Sequence, residues 1–222
     1  MEVKKMKEEE RKETNGKVKV FNRGNFSIAA LAGKEESWGD SPQSKLHITP
    51  EFTEVTNGHY LLQVSRPEVE KEEIPNGRDG ESPIDEPVTM LMSRDRALQI
   101  EKAIPKNGNH PILNNAWPVN QTDNSVSFLT TDLQKEDVIK AEKEDGRYPA
   151  TDIIWPKDNP VIEIGFNPDY MIKLCQQFKK NSSAREPRVK LTIYGDKTAM
   201  KLEAAETETE QEVKALLMPC AF

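Results

Sequence analysis

"VIEIGFNPDYMIKLCQQF", residues 161–178, changes its period partway through. "VIEIGF" (161–166) is a short apolar run of the kind that forms a strand. Asn167-Pro168-Asp169 then reads as a helix start. It offers a capping side chain, a proline at the first helical position and an acid at the positive end of the helix dipole. Met171, Leu174, Cys175 and Phe178 follow at i, i+3, i+4 and i+7, which predicts one buried helix face. Lys173, Gln176, Gln177 and Lys180 take the other face. "RVKLTIYG", "AMKLEAAE" and "EVKALLMPC" come next, three strand-like runs separated by turn signals. The last 62 residues therefore predict a β-α-β-β-β unit.

The same order is legible upstream. "VTMLMS" predicts a strand. "SRDRALQIEKAIP" predicts a helix with Ser93 as cap, Ala97, Ile100 and Ile104 on one face, and Pro105 as stop. "PILNNAWPVNQTDN", "SVSFLTTDL" and "EDVIKAEKEDGRYPATDIIWP" supply three further strands and a Gly146 turn. Residues 88 to about 156 thus repeat the architecture without obvious sequence identity. Nearer the N-terminus, "KVKVF" (17–21) alternates as a strand. "NFSIAALAG" (25–33) is either a strand or a single helical turn, so residues 17–66 hold no convincing long helix. Asn57-Gly58 lies between the runs "KLHITPEFTEV" and "HYLLQVSR" and marks a hairpin. Residues 67–87, with four prolines and many charges, predict a surface loop or linker.

The bulk numbers narrow the function. A net charge of −7 over 222 residues argues against a generally basic nucleic-acid coat, but leaves room for a local basic face. The two cysteines, Cys175 and Cys220, form no CxxC, and three scattered histidines complete no zinc spacing. Both cysteines are expected to be small core residues in a reducing cytoplasm. No apolar run reaches the length of a membrane span. The opening "MEVKKMKEEERKETNGK" lacks an apolar h-region. Its five basic and five acidic residues through Gly16 balance, which predicts a solvated tail or frayed helix. No metal, cofactor or catalytic constellation emerges, so an enzyme is not expected. His59 has neither ligand partners nor a nucleophile and is read as a turn-adjacent residue. Asp145-Gly146-Arg147 is read as a turn, with Arg147 forming an ion pair, and the Glu-rich stretch 203–212 as a solvated hairpin.

Four segments resemble the bacterial DNA polymerase III β sliding clamp family, in that family's order. "TNGHYLLQV" (56–64) resembles its "T-D-G-H-R-L-A-V" segment. "EDGRYPATDIIWP" (144–156) is similar to "D-G-R-F-P-D-Y-x-x-V-x-P". "IEIGFNPDYMIKLC" (162–175) is similar to "I-x-F-N-x-x-Y-L-x-x-x-L", and "VKALLMPCAF" (213–222) to the terminal "V-x-M-P-M-R". The likeness covers about residues 45–222 and is weakest over 67–130. Asn57 stands for the family's Asp, Tyr60 for its Arg, and Cys220 for its second Met. There is room for about three βαβββ half-units, against two in each of the family's three domains, so a standard closed two-subunit ring is not assumed.

The resemblance implies an α+β protein with a DNA-clamp fold built of repeated βαβββ units. With the charged tail at 1–16 set apart by its composition, it implies a domain resembling the family's middle domain at 17–156 and a half-domain resembling the end of its last domain at 157–222. It further implies a replication or repair processivity factor without chemistry of its own. Such a factor would act as a homo-oligomer, hold duplex DNA independently of sequence, and tether DNA polymerase or other partners. Helix residues Arg94, Arg96, Lys102, Lys173, Lys179 and Lys180, with Arg147, would meet phosphates; the bland alternative is an ordinary solvated helix face. A pocket for a short linear motif with apolar anchors would include Thr56, Gly58, His59, Tyr60, Leu61, Pro156, Leu216, Met218, Pro219 and Cys220. The bland alternative there is that Leu61, Leu216 and Met218 are plain core. A second functional class also fits: an interaction adaptor that binds the same motifs without encircling DNA.

Overall fold

The computed structural model describes residues 16–33, 41–106, 110–181, 187–204 and 213–220. The chain divides into two compact units, Met1–Trp155 and Pro156–Phe222. The tail expected at 1–16 lies outside the described residues except for Gly16, and most of the Glu-rich stretch 203–212 does too.

In the first unit, β1 (Lys17–Lys19) and β2 (Phe21–Asn22) lead into helix α1 (Arg23–Ser27) and a 3-10 turn (Ile28–Leu31). Strands β3 (Lys45–Ile48), β4 (Phe52–Thr56) and β5 (Leu61–Ser65) follow. After β6 (Glu68–Glu70) the order recurs as β7 (Met90–Ser93), α2 (Arg94–Ala103), β8 (Asn115–Gln121), β9 (Ser125–Thr131) and β10 (Glu136–Glu142). Both halves are therefore β-α-β-β-β. The repeat expected over 88–156 is present, and residues 17–66 match it, with α1 and its 3-10 turn standing where a long helix was not legible.

The halves exchange their first strands. One sheet runs β5-β4-β3-β7 and the other β10-β9-β8-β2, so β7 joins the first half's sheet and β2 the second's. All these pairings are antiparallel. Both sheets and both helices share one core. Phe21, Phe26 and Phe128 meet there at centroid distances of 5.4–5.6 Å. Leu46, Ile48, Val55, Met92, Ala97, Ile100 and Ile104 complete it, all fully or almost fully buried. Each large apolar side chain buried this way contributes about 1.5–3 kcal/mol, and the three aromatics anchor both halves at once.

Local chemistry explains the element ends. Asn22 and Asn25 form a reciprocal capping box at the start of α1. Asn25, itself fully buried, also donates to Thr53 Oγ1, Val64 O and Ser65 O, joining α1 to β4 and β5. Ser93 occupies the N-cap of α2, but its side chain makes no capping hydrogen bond, contrary to expectation; Asp95 in the first turn complements the dipole instead. Residues 67–87 are not all loop. β6 pairs with β1, because the alternating Glu68-Val69-Glu70 presents Val69 to a small cluster around Trp117.

The second unit holds α3 (Pro168–Lys180) over the sheet β11 (Val189–Thr192), β12 (Met200–Ala204), β13 (Lys214–Leu217). Asn167 Oδ1 accepts from the Asp169 amide, as the sequence predicts. Phe178, Met171 and Leu174 pack on Met200, Leu202 and Leu217. Two expectations fail here. "VIEIGF" forms no strand; it makes a single bridge, Gly165 to Cys220. Cys175 and Cys220 are both exposed rather than in the core. One cause accounts for the missing strand and for Cys175: among the described residues this unit has one half-unit, so its leading segment finds no second sheet to join and its helix no second helix to cover Cys175.

Candidate interaction surfaces

The Asn57-Gly58 hairpin is present, with Thr56 paired to Leu61 and Glu54 to Gln63. Gly58 has φ +83°, which a glycine adopts without strain. Thr56 Oγ1 donates to Tyr60 O at 2.6 Å and accepts from the Gly58 amide at 3.2 Å, so the threonine closes the loop from within. Asn57 Oδ1 accepts from the His59 amide at 3.0 Å. His59 is exposed, and among the described residues no group of three or more His, Cys, Asp and Glu side chains could hold a metal. Tyr60 turns its hydroxyl onto Leu31 O, so it leans toward the segment after α1. Its ring stays partly exposed, as does Leu62.

The residues after β10 form a strap across the sheet β5-β4-β3-β7, on the face away from the helices. The Glu144 amide donates to Leu91 O on β7 at 2.9 Å. Lys45 on β3 reaches Glu144 at 3.3 Å and Asp145 O at 3.4 Å. At Gly146, φ is +127° and a Cβ would meet Pro42 at 2.9 Å, so the turn read from Asp145-Gly146-Arg147 is present and needs its glycine. The Tyr148 ring stacks on His47 at 4.5 Å. Thr151 Oγ1 then donates to both oxygens of Glu54 on β4, at 3.0 and 2.9 Å.

Glu54 was invisible as a site residue in the sequence. It is only 1% exposed. Besides Thr151, His47 Nδ1 donates to it at 2.7 Å and Gln63 Nε2 at 2.7 Å. Burial pushes its carboxyl up, but the bonds from His47, Gln63 and Thr151 and the charge of His47 outweigh that and hold it below the ordinary carboxylate value. Burial and the nearby Glu54 charge push the Tyr148 phenol up. The only sequence hint was a run of polar residues on one face of β3, β4 and β5, which alternation alone reads as solvent-facing. Beyond Thr151 the strap exposes Ile153, Ile154 and Trp155.

In the second unit, Leu216 and Met218 are 69% and 65% exposed, so neither is core, while Leu217 between them is buried. Cys220 is exposed, Pro219 half-buried and Pro156 exposed. Leu61, in the first unit, is half-buried.

The helices of the first unit and their flanks carry Arg23, Arg94, Arg96, Lys102 and Lys106 against Asp95 and Glu101. Lys102 is exposed. Arg96 bonds Gln99 at 2.6 Å, and Arg94 lies against Ala30 O at 3.4 Å. Arg23, missed in the sequence, pairs with Glu101 at 2.7 Å. On α3, Lys173, Lys179 and Lys180 are all exposed. Arg147 is exposed on the strap, so it does not share the helix face with Arg94, Arg96 and Lys102.

No protein-family model matches the sequence, and no curated protein matches it. Solved structures do. The fold is similar to Caulobacter crescentus pol III beta, with TM-score 0.62 and 13% identity over 93% of this chain and 52% of that one. The DNA polymerase III subunit beta from Pseudomonas aeruginosa gives TM-score 0.62 and 12% identity, covering 89% and 48%. The beta subunit from DNA polymerase of Streptococcus pyogenes gives 0.60 and 13%, covering 91% and 50%. The chain thus has the sliding-clamp fold and spans about half the length of the clamps it matches. No helix among the described residues is long and apolar enough to cross a membrane.

Proposed function

We propose that this chain is a clamp-like tether in DNA replication or repair, whose helices face duplex DNA and whose apolar surfaces capture short peptide motifs of a DNA polymerase or other partners. One observation carries it: in a protein of net charge −7, the helices and their flanks concentrate Arg and Lys, while the strap end and the last strand expose apolar side chains instead. Phosphate contacts from Arg96, Lys102, Lys173, Lys179 and Lys180 would be independent of sequence and sensitive to salt. Arg94 would contribute less, its guanidinium being engaged with Ala30 O. The capture surfaces are the hairpin residues Thr56, Gly58, His59 and Leu61, with Tyr60 turned toward the segment after α1, and the strap end on the first unit, and Pro156, Leu216, Met218, Pro219 and Cys220 on the second. Apolar anchors of a partner would bury against them, and Met218 is adaptable enough to repack around several. Self-association would let such a chain surround DNA.

The test is retention on nicked circular DNA, before and after linearisation, with the mass in solution measured alongside. The clamp reading expects an oligomer that stays on the circle and leaves the linear form. A monomer that binds an apolar-anchored peptide but is not retained on circles would overturn it in favour of the adaptor. Tyr60→Ala and Met218→Ala should each weaken peptide binding by about 1–3 kcal/mol. Unchanged affinity in both would sink peptide capture.

A further inference from the structure

Glu54 puts a carboxylate into a space from which water is excluded, and the donors that satisfy it come from three different elements: His47 on β3, Gln63 on β5 and Thr151 on the strap. A buried acceptor with this many partners fixes them to one another, because releasing any one leaves the carboxylate short of a hydrogen bond where no solvent replaces it. Thr151 begins the 3-10 turn Thr151–Ile153 and is that turn's one buried residue. Everything that follows it on the strap, Asp152 through Trp155, is exposed. The apolar run Ile153-Ile154-Trp155 is therefore tied to the sheet at its near end by the Thr151 hydroxyl on the Glu54 carboxylate.

We propose that Glu54 is a positioning residue: without touching a ligand, it fixes through Thr151 where the apolar strap end Ile153–Trp155 stands, and so sets how well that end receives a peptide. The inference rests on the peptide-capture reading and names what gives the first unit's surface its shape. A binding surface built on a loop needs such support, since rotatable apolar groups lose entropy on binding unless already held.

The experiment uses the full chain labelled with 5-fluorotryptophan. The Trp155 and Trp117 ¹⁹F resonances are assigned, and told apart from that of Trp38, with Trp155→Phe and Trp117→Phe, and the resonance of buried Trp117 reports that the core is intact. Thr151→Val and Glu54→Gln should shift or broaden the Trp155 signal and leave Trp117 in place, whereas Thr151→Ser, which keeps the hydroxyl, should restore the wild-type signal. Affinity for a fluorescein-labelled hexapeptide with leucine and phenylalanine anchors should fall about threefold to thirtyfold in the first two variants and not in the third. A Trp155 signal and an affinity unmoved in folded Thr151→Val and Glu54→Gln would overturn the inference and leave peptide capture standing. A wild-type chain that binds no such peptide, while Trp155 still responds to Glu54→Gln, would sink the capture reading and support the positioning role.

Discussion

The two faces of the β5-β4-β3-β7 sheet are buried by different means. On one face Leu46, Ile48, Val55 and Met92 pack on α2 and the aromatic triad, in a core that needs only shape and apolar area. On the other, Lys45, His47, Glu54 and Gln63 are covered by a strap of chain and held through hydrogen bonds and one ring stack. The first kind of burial is insensitive to charge state and tolerates small shifts. The second depends on each donor being present and on Glu54 staying ionised. The helix side is thus suited to be a rigid platform, and the strap side to be an adjustable one.

The largest effect that would sharpen this contrast is Phe128→Ala. It removes the aromatic that both halves share and should cost about 3–5 kcal/mol in urea unfolding. Thr151→Val acts on the other face and should cost about 1–3 kcal/mol, the range for leaving a buried acceptor short of a donor. Equal costs from the two substitutions would erase the distinction between the faces. A smaller effect separates them by pH. The Glu54 carboxyl is held below its ordinary value, so its contribution is fully present above the unfolded carboxylate range and is lost as pH falls through the depressed folded value. Wild-type stability should therefore drop in acid more steeply than that of Glu54→Gln. Parallel acid profiles would show that the carboxylate does not clamp the strap.

Much of this was legible in the sequence because it rests on local patterns. The hairpin at Asn57-Gly58, the α2 face of Ala97, Ile100 and Ile104, and the Asn167-Pro168-Asp169 start of α3 are set by residues within a few positions of one another. The misses are all non-local. α1 is short and depends on Asn25 reaching β4 and β5, so periodicity could not reveal it. "VIEIGF" has strand composition but no neighbouring sheet, and composition carries no information about a missing partner. Cys175 lies at a position that helical spacing assigns to the core, yet it is exposed because nothing among the described residues crosses α3 there. Glu54 and Thr151 are 97 residues apart, and polar alternation on β3, β4 and β5 looks the same whether water or a strap covers it. The hairpin histidine that invites attention, His59, is a turn residue, while His47 is the one that joins a buried network.

If the helix face, and not the strap face, meets DNA, the two must differ in how salt acts on them. The deciding quantity is the salt dependence of binding to a duplex oligonucleotide, from low salt upward. Arg96→Ala combined with Lys102→Ala should reduce the slope of log affinity against log salt by about two, at close to 0.9 for each phosphate left unneutralised. Arg147→Ala, on the strap, should leave that slope where it is. A slope unchanged by the helix pair and lowered by Arg147→Ala would contradict a DNA-facing helix layer.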